Sequence, residues 1–315
     1  MKISIGLCAY NEVRNIGNIL INLLNQPLLS HQELLEIIVV CSGCTDGTDD
    51  IVKGFQEKDA RVKLINQVYR QGKSRAQNII LQEAKGDVIA FLSADTYPAK
   101  GSIAILVNAI KGDVCGVNGK VIPLNESRGL VNRVSHFIWE FHNRTMMYEN
   151  ERGKLAHLTG EMFAIKSEVI SEVPSNVIND DAYMAMMIHS KGCKLQYVSQ
   201  AVCFNFGPCS IRDYLNQRRR VLFGHRQLAR LLGRPPRVFR SMVFSQPRDA
   251  IYIFFGRLKQ LRLRNLMIMG PAIVLEITAG LLALWDSRWK RIDQHILWDH
   301  IDSTKTLPKK EDTVE

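Results

Sequence analysis

Asp95 and the pair Asp180-Asp181 are the acidic residues of this chain whose surroundings point to chemistry. Asp95 follows the apolar run Val88-Ile89-Ala90-Phe91-Leu92 and precedes the turn-forming Pro98. A carboxylate delivered at a strand end can hold a hard divalent cation that bridges two phosphates, and it can equally cap a turn. Asp180-Asp181 follow the extended stretch Val177-Ile178-Asn179. Paired carboxylates in a cleft supply a general base; acidic residues also favour a helix N-terminus. In Gly72-Lys73-Ser74-Arg75-Ala76-Gln77-Asn78 two cations stand at a helix start, which suits phosphate. Glu12 and Ser42, just past the first two apolar runs, are placed to line one crevice and meet a nucleoside. Asp46, between Thr45 and Thr48, reads as a structural helix cap.

Other chemistries lack their residues. Gly72-Lys73-Ser74 is no P-loop, since the glycine needed five positions earlier is Gln67. The stretch 43–47 lacks the dinucleotide fingerprint, so kinase and dehydrogenase chemistry are disfavoured. Seven cysteines at irregular positions form no disulfide framework. Cys41 and Cys44 have half the spacing of a zinc site, with no second pair to complete it.

These side chains need a scaffold, and the pattern supplies one. Strands are expected at 3–9, 36–41, 62–65, 88–92, 114–122, 162–165 and 195–198, with helices starting near Glu12, Thr48 and Lys73, over 130–148, and after Asp181. The order predicts an α/β fold: a mostly parallel sheet with helices on both faces, ligands at the carboxyl ends of the strands, and a helical C-terminal extension. Gly233-Arg234-Pro235-Pro236 breaks the helix signal, so residues 1–230 are expected to form the catalytic domain and 231–315 the extension. No leader is visible at the N-terminus, which is expected to be folded and unexported.

The net charge of +10 is uneven. Segment 212–264 is dense in arginine, against only Asp213 and Asp249, which implies an anionic neighbour such as a diphosphate, anionic lipid or nucleic acid, or else a solvated basic face. Stretch 266–285 is nearly all apolar but interrupted by Gly270-Pro271 and Glu276. A helix pair lying in a membrane interface is expected, with Arg257, Lys259, Arg262, Arg264, Arg288, Lys290 and Arg291 at headgroup level and Trp285, Trp289 and Trp298 at the boundary. A membrane span and a buried hairpin are the alternatives. Nucleic acid is disfavoured, because aromatic stacking platforms and helix-turn-helix or zinc signatures are lacking.

The order of these motifs resembles glycosyltransferase family 2. Ala9-Tyr10-Asn11-Glu12 is similar to its opening Tyr/Phe-Asn-Glu, and Ser42-Gly43-Cys44-Thr45-Asp46-Gly47-Thr48 to its Asp-Gly-Ser-Thr-Asp-Gly-Thr. Gly72-Lys73 with Ala76 and Asn78 matches its Gly-Lys-x-x-Ala-x-Asn helix, Ser93-Ala94-Asp95 its Asp-x-Asp metal site, and Asp180-Asp181 its Glu-Asp motif. Gln217-Arg218-Arg219-Arg220-Val221 is similar to its Gln-x-x-Arg-Trp segment.

The resemblance implies a GT-A fold and inverting transfer of one sugar from a UDP- or GDP-sugar. Ala9, Tyr10, Glu12, Ser42, Lys73, Ala94 and Asp95 would contact the donor, and Asp95 would hold Mn²⁺ or Mg²⁺. Asp181 would be the catalytic base beside Asp180. Glu161, Gln217 and Arg220 would shape the acceptor and pyrophosphate sites. Ser93, Cys41-Ser42 and Val221 depart from the family pattern, and the last, with too few spanning segments, argues against a processive polymer synthase. The segment 298–305 resembles the tail of membrane-associated members. Together these imply a lipid-linked or cell-envelope acceptor and a cytoplasmic protein on the inner face of the membrane. A nucleotidyltransferase or an anion-binding protein is the competing reading; the former needs a glycine-rich loop where this chain has Ala9-Tyr10-Asn11-Glu12.

Overall fold

The computed structural model describes residues 1–125, 129–258, 263–289 and 292–297. The first half alternates as expected: β1 (Lys2–Ala9), α1 (Ile16–Leu24), β2 (Glu33–Ser42), α2 (Thr48–Gln56), β3 (Val62–Gln67), α3 (Lys73–Glu83) and β4 (Val88–Ser93). Then come β5 (Thr96–Pro98), α4 (Ser102–Asn108), β6 (Val114–Pro123), α5 (Leu130–Glu151), β7 (Met162–Lys166), α6 (Asp180–Ser190) and β8 (Lys194–Asn205). Helices α7 (Ile211–Leu231), α8 (Phe239–Ser245), α9 (Pro247–Leu258), α10 (Leu263–Arg288) and α11 (Asp293–Ile296) follow.

One eight-stranded sheet runs in the order β3-β2-β1-β4-β7-β6-β8-β5. The ladders β1/β2, β1/β4, β2/β3 and β6/β8 are parallel. Those of β7 with β4 and β6, and of β5 with β8, are antiparallel. Phe91 of β4 stacks on Phe163 of β7, directly opposite in register, with centroids 5.0 Å apart. Such an aromatic pair adds about 1 kcal/mol to the ladder beyond area burial.

Helices cover both faces. On one, Ile16, Ile19, Leu20 and Leu23 of α1 repeat at helical spacing and pack with α4 on Ile3, Ile5 and Leu7 of β1. On the other, Ile80 of α3 and Met184, Ala185 and Ile188 of α6 pack on Ile38, Val40, Ile89 and Phe91. The chain leaves β1 toward β2 on one side and returns to β4 on the other. This switch point opens a crevice at the carboxyl ends of those strands, where ligands bind in such sheets.

Two expectations need correction. Helix α1 begins at Ile16, because Asn11 has φ +53° and a turn on the Glu12 carbonyl intervenes. Gly270-Pro271 does not interrupt the apolar stretch: α10 is one helix with Pro271 inside it. Its packing explains the continuity. Ala272, Ala279 and Ala283 lie against α5 and α7, and Glu276 and Asp286 point at arginines of α7. Tertiary contacts of this size offset the backbone hydrogen bond that a proline removes. The side chains of Arg257, Lys259, Arg262, Arg264, Lys290, Arg291 and Trp298, and segment 298–305, lie outside what is described.

Candidate active site

Ala9, Tyr10, Glu12, Ser42, Lys73, Ala94, Asp95, Glu161, Asp180, Asp181, Gln217 and Arg220 all line a single cavity of about 1260 Å³. Residues as far apart in the chain as Ala9 and Arg220 meet there because the β1, β2 and β4 ends, the lead-in to β7, the start of α6 and the middle of α7 converge on the switch-point crevice.

The loops after β1 and β2 brace one another. Asp46 accepts from Val13 N–H at 3.0 Å and Thr48 N–H at 3.0 Å, and the Thr48 hydroxyl accepts from Glu12 N–H at 2.8 Å. Asp46 is therefore a structural brace between the two loops. Glu12 is buried and accepts from Asn15 at 3.0 Å. Ser42 accepts from Gln71 N–H at 3.2 Å, and the Arg70 guanidinium stacks 3.8 Å from the Tyr10 ring centroid. Gly43 makes this approach possible: its φ is +66°, and a Cβ there would meet Arg70 N at 2.6 Å.

Lys73 opens α3 and ion-pairs with Asp180 at 3.1 Å. Burial alone would lower its pKa, but Asp180 and Asp181 outweigh it and hold the ammonium firmly charged. Asp180 is 3% exposed and also takes a hydrogen bond from Gln77, so it acts as the counter-ion that positions Lys73. Asp181, only partly buried, accepts from Ala182 N–H at 2.7 Å and faces the cavity. Both aspartates stand in the first turn of α6, so the helix-terminus alternative describes where they sit. Their turn is pinned to α7 by Asn179, which donates to the Val221 carbonyl at 2.9 Å. Gly224 leaves room for this, since a Cβ there would stand 2.4 Å from Asn179 Oδ1.

Carboxylate charge is concentrated here. Burial and then Asp180 push Asp181 up to about 6. Burial and then Asp181 push Glu161 up to about 8, and burial also raises Asp95. Ser93 donates to the Gly160 carbonyl at 3.2 Å and ties β4 to the β7 lead-in. Among the described residues no group of three or more His, Cys, Asp or Glu is arranged to hold a metal. A divalent ion that shares its shell with substrate phosphates needs only one or two carboxylates. Asp95 with Glu161 nearby fits that need: hard oxygen donors whose ionisation burial holds back.

Several cavity residues escape sequence reasoning. Gly160 packs against both key groups, as a Cβ there would lie 3.0 Å from Asp181 Oδ2 and 3.6 Å from Lys73 Nζ. His142, His157 and His225 form a chain of edge-on rings 5.6 and 6.5 Å apart, with His142 bonded to the Thr159 hydroxyl at 3.0 Å. Burial lowers them to about 3, 4 and 3, so they are neutral. The signal available was the string His157-Leu158-Thr159-Gly160-Glu161, which places an imidazole, a hydroxyl and a carboxylate side by side. Part of the basic segment is neutralised internally: Arg218 grips Glu276 at 2.6 and 2.9 Å, and Arg219 pairs with Asp286. Arg220 donates to the His295 carbonyl at 3.0 Å, and Ile296 of α11 sits over Gly72.

The cleft at the switch point thus gathers a charged lysine, a pair of aspartates and further carboxyl oxygens at the carboxyl ends of the strands. The chain belongs to glycosyl transferase family 2, whose family model matches residues 4–173. Among curated relatives, Bacillus subtilis YdaM, named a probable glycosyltransferase, is 27% identical over 81% of this chain and 62% of its own length. The Campylobacter jejuni GalNAc(5)-diNAcBac-PP-undecaprenol beta-1,3-glucosyltransferase is 27% identical over 44% of each chain. Matches to the first three relatives span between 41% and 62% of their lengths. The fold is shared with the mannosyltransferase PcManGT of Pyrobaculum calidifontis, solved with GDP-Man and Mn²⁺ (TM-score 0.64, 20% identity, 92% of this chain and 87% of that one).

Proposed function

We propose that this chain moves one sugar from a UDP- or GDP-sugar to an acceptor hydroxyl, with inversion at the anomeric carbon, and that the acceptor is a lipid-linked or cell-envelope glycan. The observation that carries this reading is the shared wall at Gly160, which sets the Asp181 carboxylate and the Lys73 ammonium side by side in one cavity.

In the reaction a bond forms between the acceptor oxygen and the anomeric carbon as the bond from that carbon to the phosphate oxygen breaks. Asp181 takes the acceptor's proton. A base near pKa 6 is ionised at neutral pH yet still basic enough to share a proton in the transition state. Lys73, kept charged by Asp180, stabilises the charge developing on the leaving diphosphate. Asp95 would hold a Mn²⁺ or Mg²⁺ ion there, whose Lewis-acid chemistry is stabilisation of the same charge. Ser42, Glu12 and the Tyr10–Arg70 stack would wall the nucleoside.

Membrane attachment is part of the proposal. Helix α10 is long and apolar enough to cross a bilayer over Met267–Arg288. One side is committed to α7 through Glu276 and Asp286, while Val274, Ile277, Leu281 and Trp285 are exposed on another. A helix so divided suits a position in the interface, with residues 231–315 as the docking extension of a catalytic unit at 1–230, on the cytoplasmic face. The Campylobacter relative's named acceptor is lipid-linked, in keeping with this reading.

The test is a panel of UDP- and GDP-sugars, each with and without Mn²⁺, scored by thermal stabilisation and by donor hydrolysis. Metal-enhanced response to one donor is the expected outcome. A flat response to every donor would refute the transferase reading.

A further inference from the structure

The far end of the cavity is chemically unlike the catalytic end. Beyond the histidines it runs among α7, α8, α9 and α10, where Phe244, Ile251, Ile273, Ile277, Leu281 and Leu284 line it. Several of these are solvent-exposed, Phe244 at 83%. An apolar groove that opens to solvent costs free energy unless something covers it.

Two cations line the cavity beside this groove. Arg226 projects from α7, and Arg240 lies against α10, where a Cβ on Gly280 would stand 3.0 Å from its Nη1. Among the described residues neither has a hydrogen bond or ion pair to a carboxylate, since Glu276 takes both arms of Arg218 and Glu149 takes Arg237. Burial and then the charges of Arg240 and Arg230 hold Arg226 below the ordinary arginine range. Arg240 shares the field of Glu276 with Arg218, which hydrogen-bonds to both oxygens of that carboxylate, so the arginines outnumber the carboxylate beside an uncovered apolar surface.

His157 supplies the third observation. It is 7% exposed, lines the same cavity, and its Nδ1 has no hydrogen-bond partner among the described residues. It precedes Gly160, the neighbour of Asp181, by three positions, and its ring meets that of His225 on α7. A buried polar atom without a partner is costly unless a ligand completes it.

We propose that Arg226 and Arg240 bind the phosphate or diphosphate of a lipid-linked acceptor whose apolar chain lies in the α8–α9–α10 groove and whose sugar passes His157 toward Asp181. The fate of the sugar hydroxyl rests on the transferase reading above; the binding of the lipid head and chain does not. The ligand must join an anionic head to an apolar chain, because the arginines alone would take free phosphate and the groove alone would take any hydrocarbon.

The test is calorimetric titration of the full chain with farnesyl diphosphate, farnesol and inorganic pyrophosphate, alongside UDP and GDP. Farnesyl diphosphate should bind at least ten times more tightly than either half of the molecule. The Arg226→Ala/Arg240→Ala variant should lose roughly 10- to 100-fold in that affinity, the range for charge-assisted hydrogen bonds to phosphate, with farnesol and nucleotide binding unchanged. Single Arg226→Gln and Arg240→Gln variants carry the same comparison if the double variant unfolds. Equal binding of farnesyl diphosphate and pyrophosphate, or full affinity in the folded arginine variants, overturns the proposal. Lipid binding as expected without any nucleotide binding supports the lipid site and sinks the transferase reading instead.

Discussion

Asp181→Asn should make the protein more stable and inactive. The carboxyl is pushed from 3.8 to about 6 by burial and by Asp180, so the native state pays to ionise it at neutral pH. One pKa unit corresponds to about 1.4 kcal/mol, and a shift of this size to an upper value of about 3 kcal/mol. Water at the cavity wall screens a partly buried group, which brings the expectation to about 1–3 kcal/mol. The sign follows from proton binding. Between the two pKa values the native state holds more proton than the unfolded chain, so stability falls as pH rises from about 4 to about 6, and the loss is complete above that. Asparagine keeps an oxygen for the Ala182 N–H and removes the penalty. Urea denaturation of both proteins at pH 7.5 and pH 4 measures this: the variant's advantage should be full at pH 7.5 and small at pH 4. Sugar transfer should drop by roughly 10²- to 10⁴-fold, the usual contribution of a general base, while nucleotide binding persists. A variant no more stable than wild type at pH 7.5 would refute the electrostatic argument, and a fully active one would remove Asp181 as base.

Two further outcomes follow from the geometry. Gly160→Ala places a methyl 3.0 Å from Asp181 Oδ2, so it should lower kcat by roughly 10- to 100-fold through displacement of the base, with circular dichroism unchanged; wild-type kcat would contradict the assigned wall. Glu276→Ala leaves the partly buried Arg218 without its bidentate partner and should cost about 1–3 kcal/mol in chemical denaturation, between the under about 1 of an exposed pair and the about 3–5 of a fully buried one.

The strands were legible because alternation and apolar runs survive as local patterns, and seven expected segments coincide with β1 to β4 and β6 to β8. Strand β5 was not: Thr96–Pro98 is too short to show a period and exists only because β8 pairs with it. The antiparallel insertion of β7 between β4 and β6 was equally hidden, since direction is set by a partner and not by the strand's own residues. Within the site, residues that carry charge announced themselves. Gly160 and Gly224 could not, because their contribution is the absence of a side chain next to groups far away in the chain. The apolar stretch with its glutamate looked like a flawed span until Arg218 supplied the partner.

What the sequence determined alone is the order of strand, turn and charged residue that delivers Glu12, Ser42, Lys73, Asp95 and Asp181 at element ends, because those placements depend on neighbours a few positions away. Only the tertiary structure decided that these ends share one cavity, that Lys73 stays charged while Asp181 and Glu161 resist ionisation, and that the cavity continues into an apolar groove. The reason is physical: burial and Coulomb interaction depend on distance through space, and side chains as far apart in the chain as Lys73, Asp181 and Glu276 acquire those distances only when the sheet and its helices close.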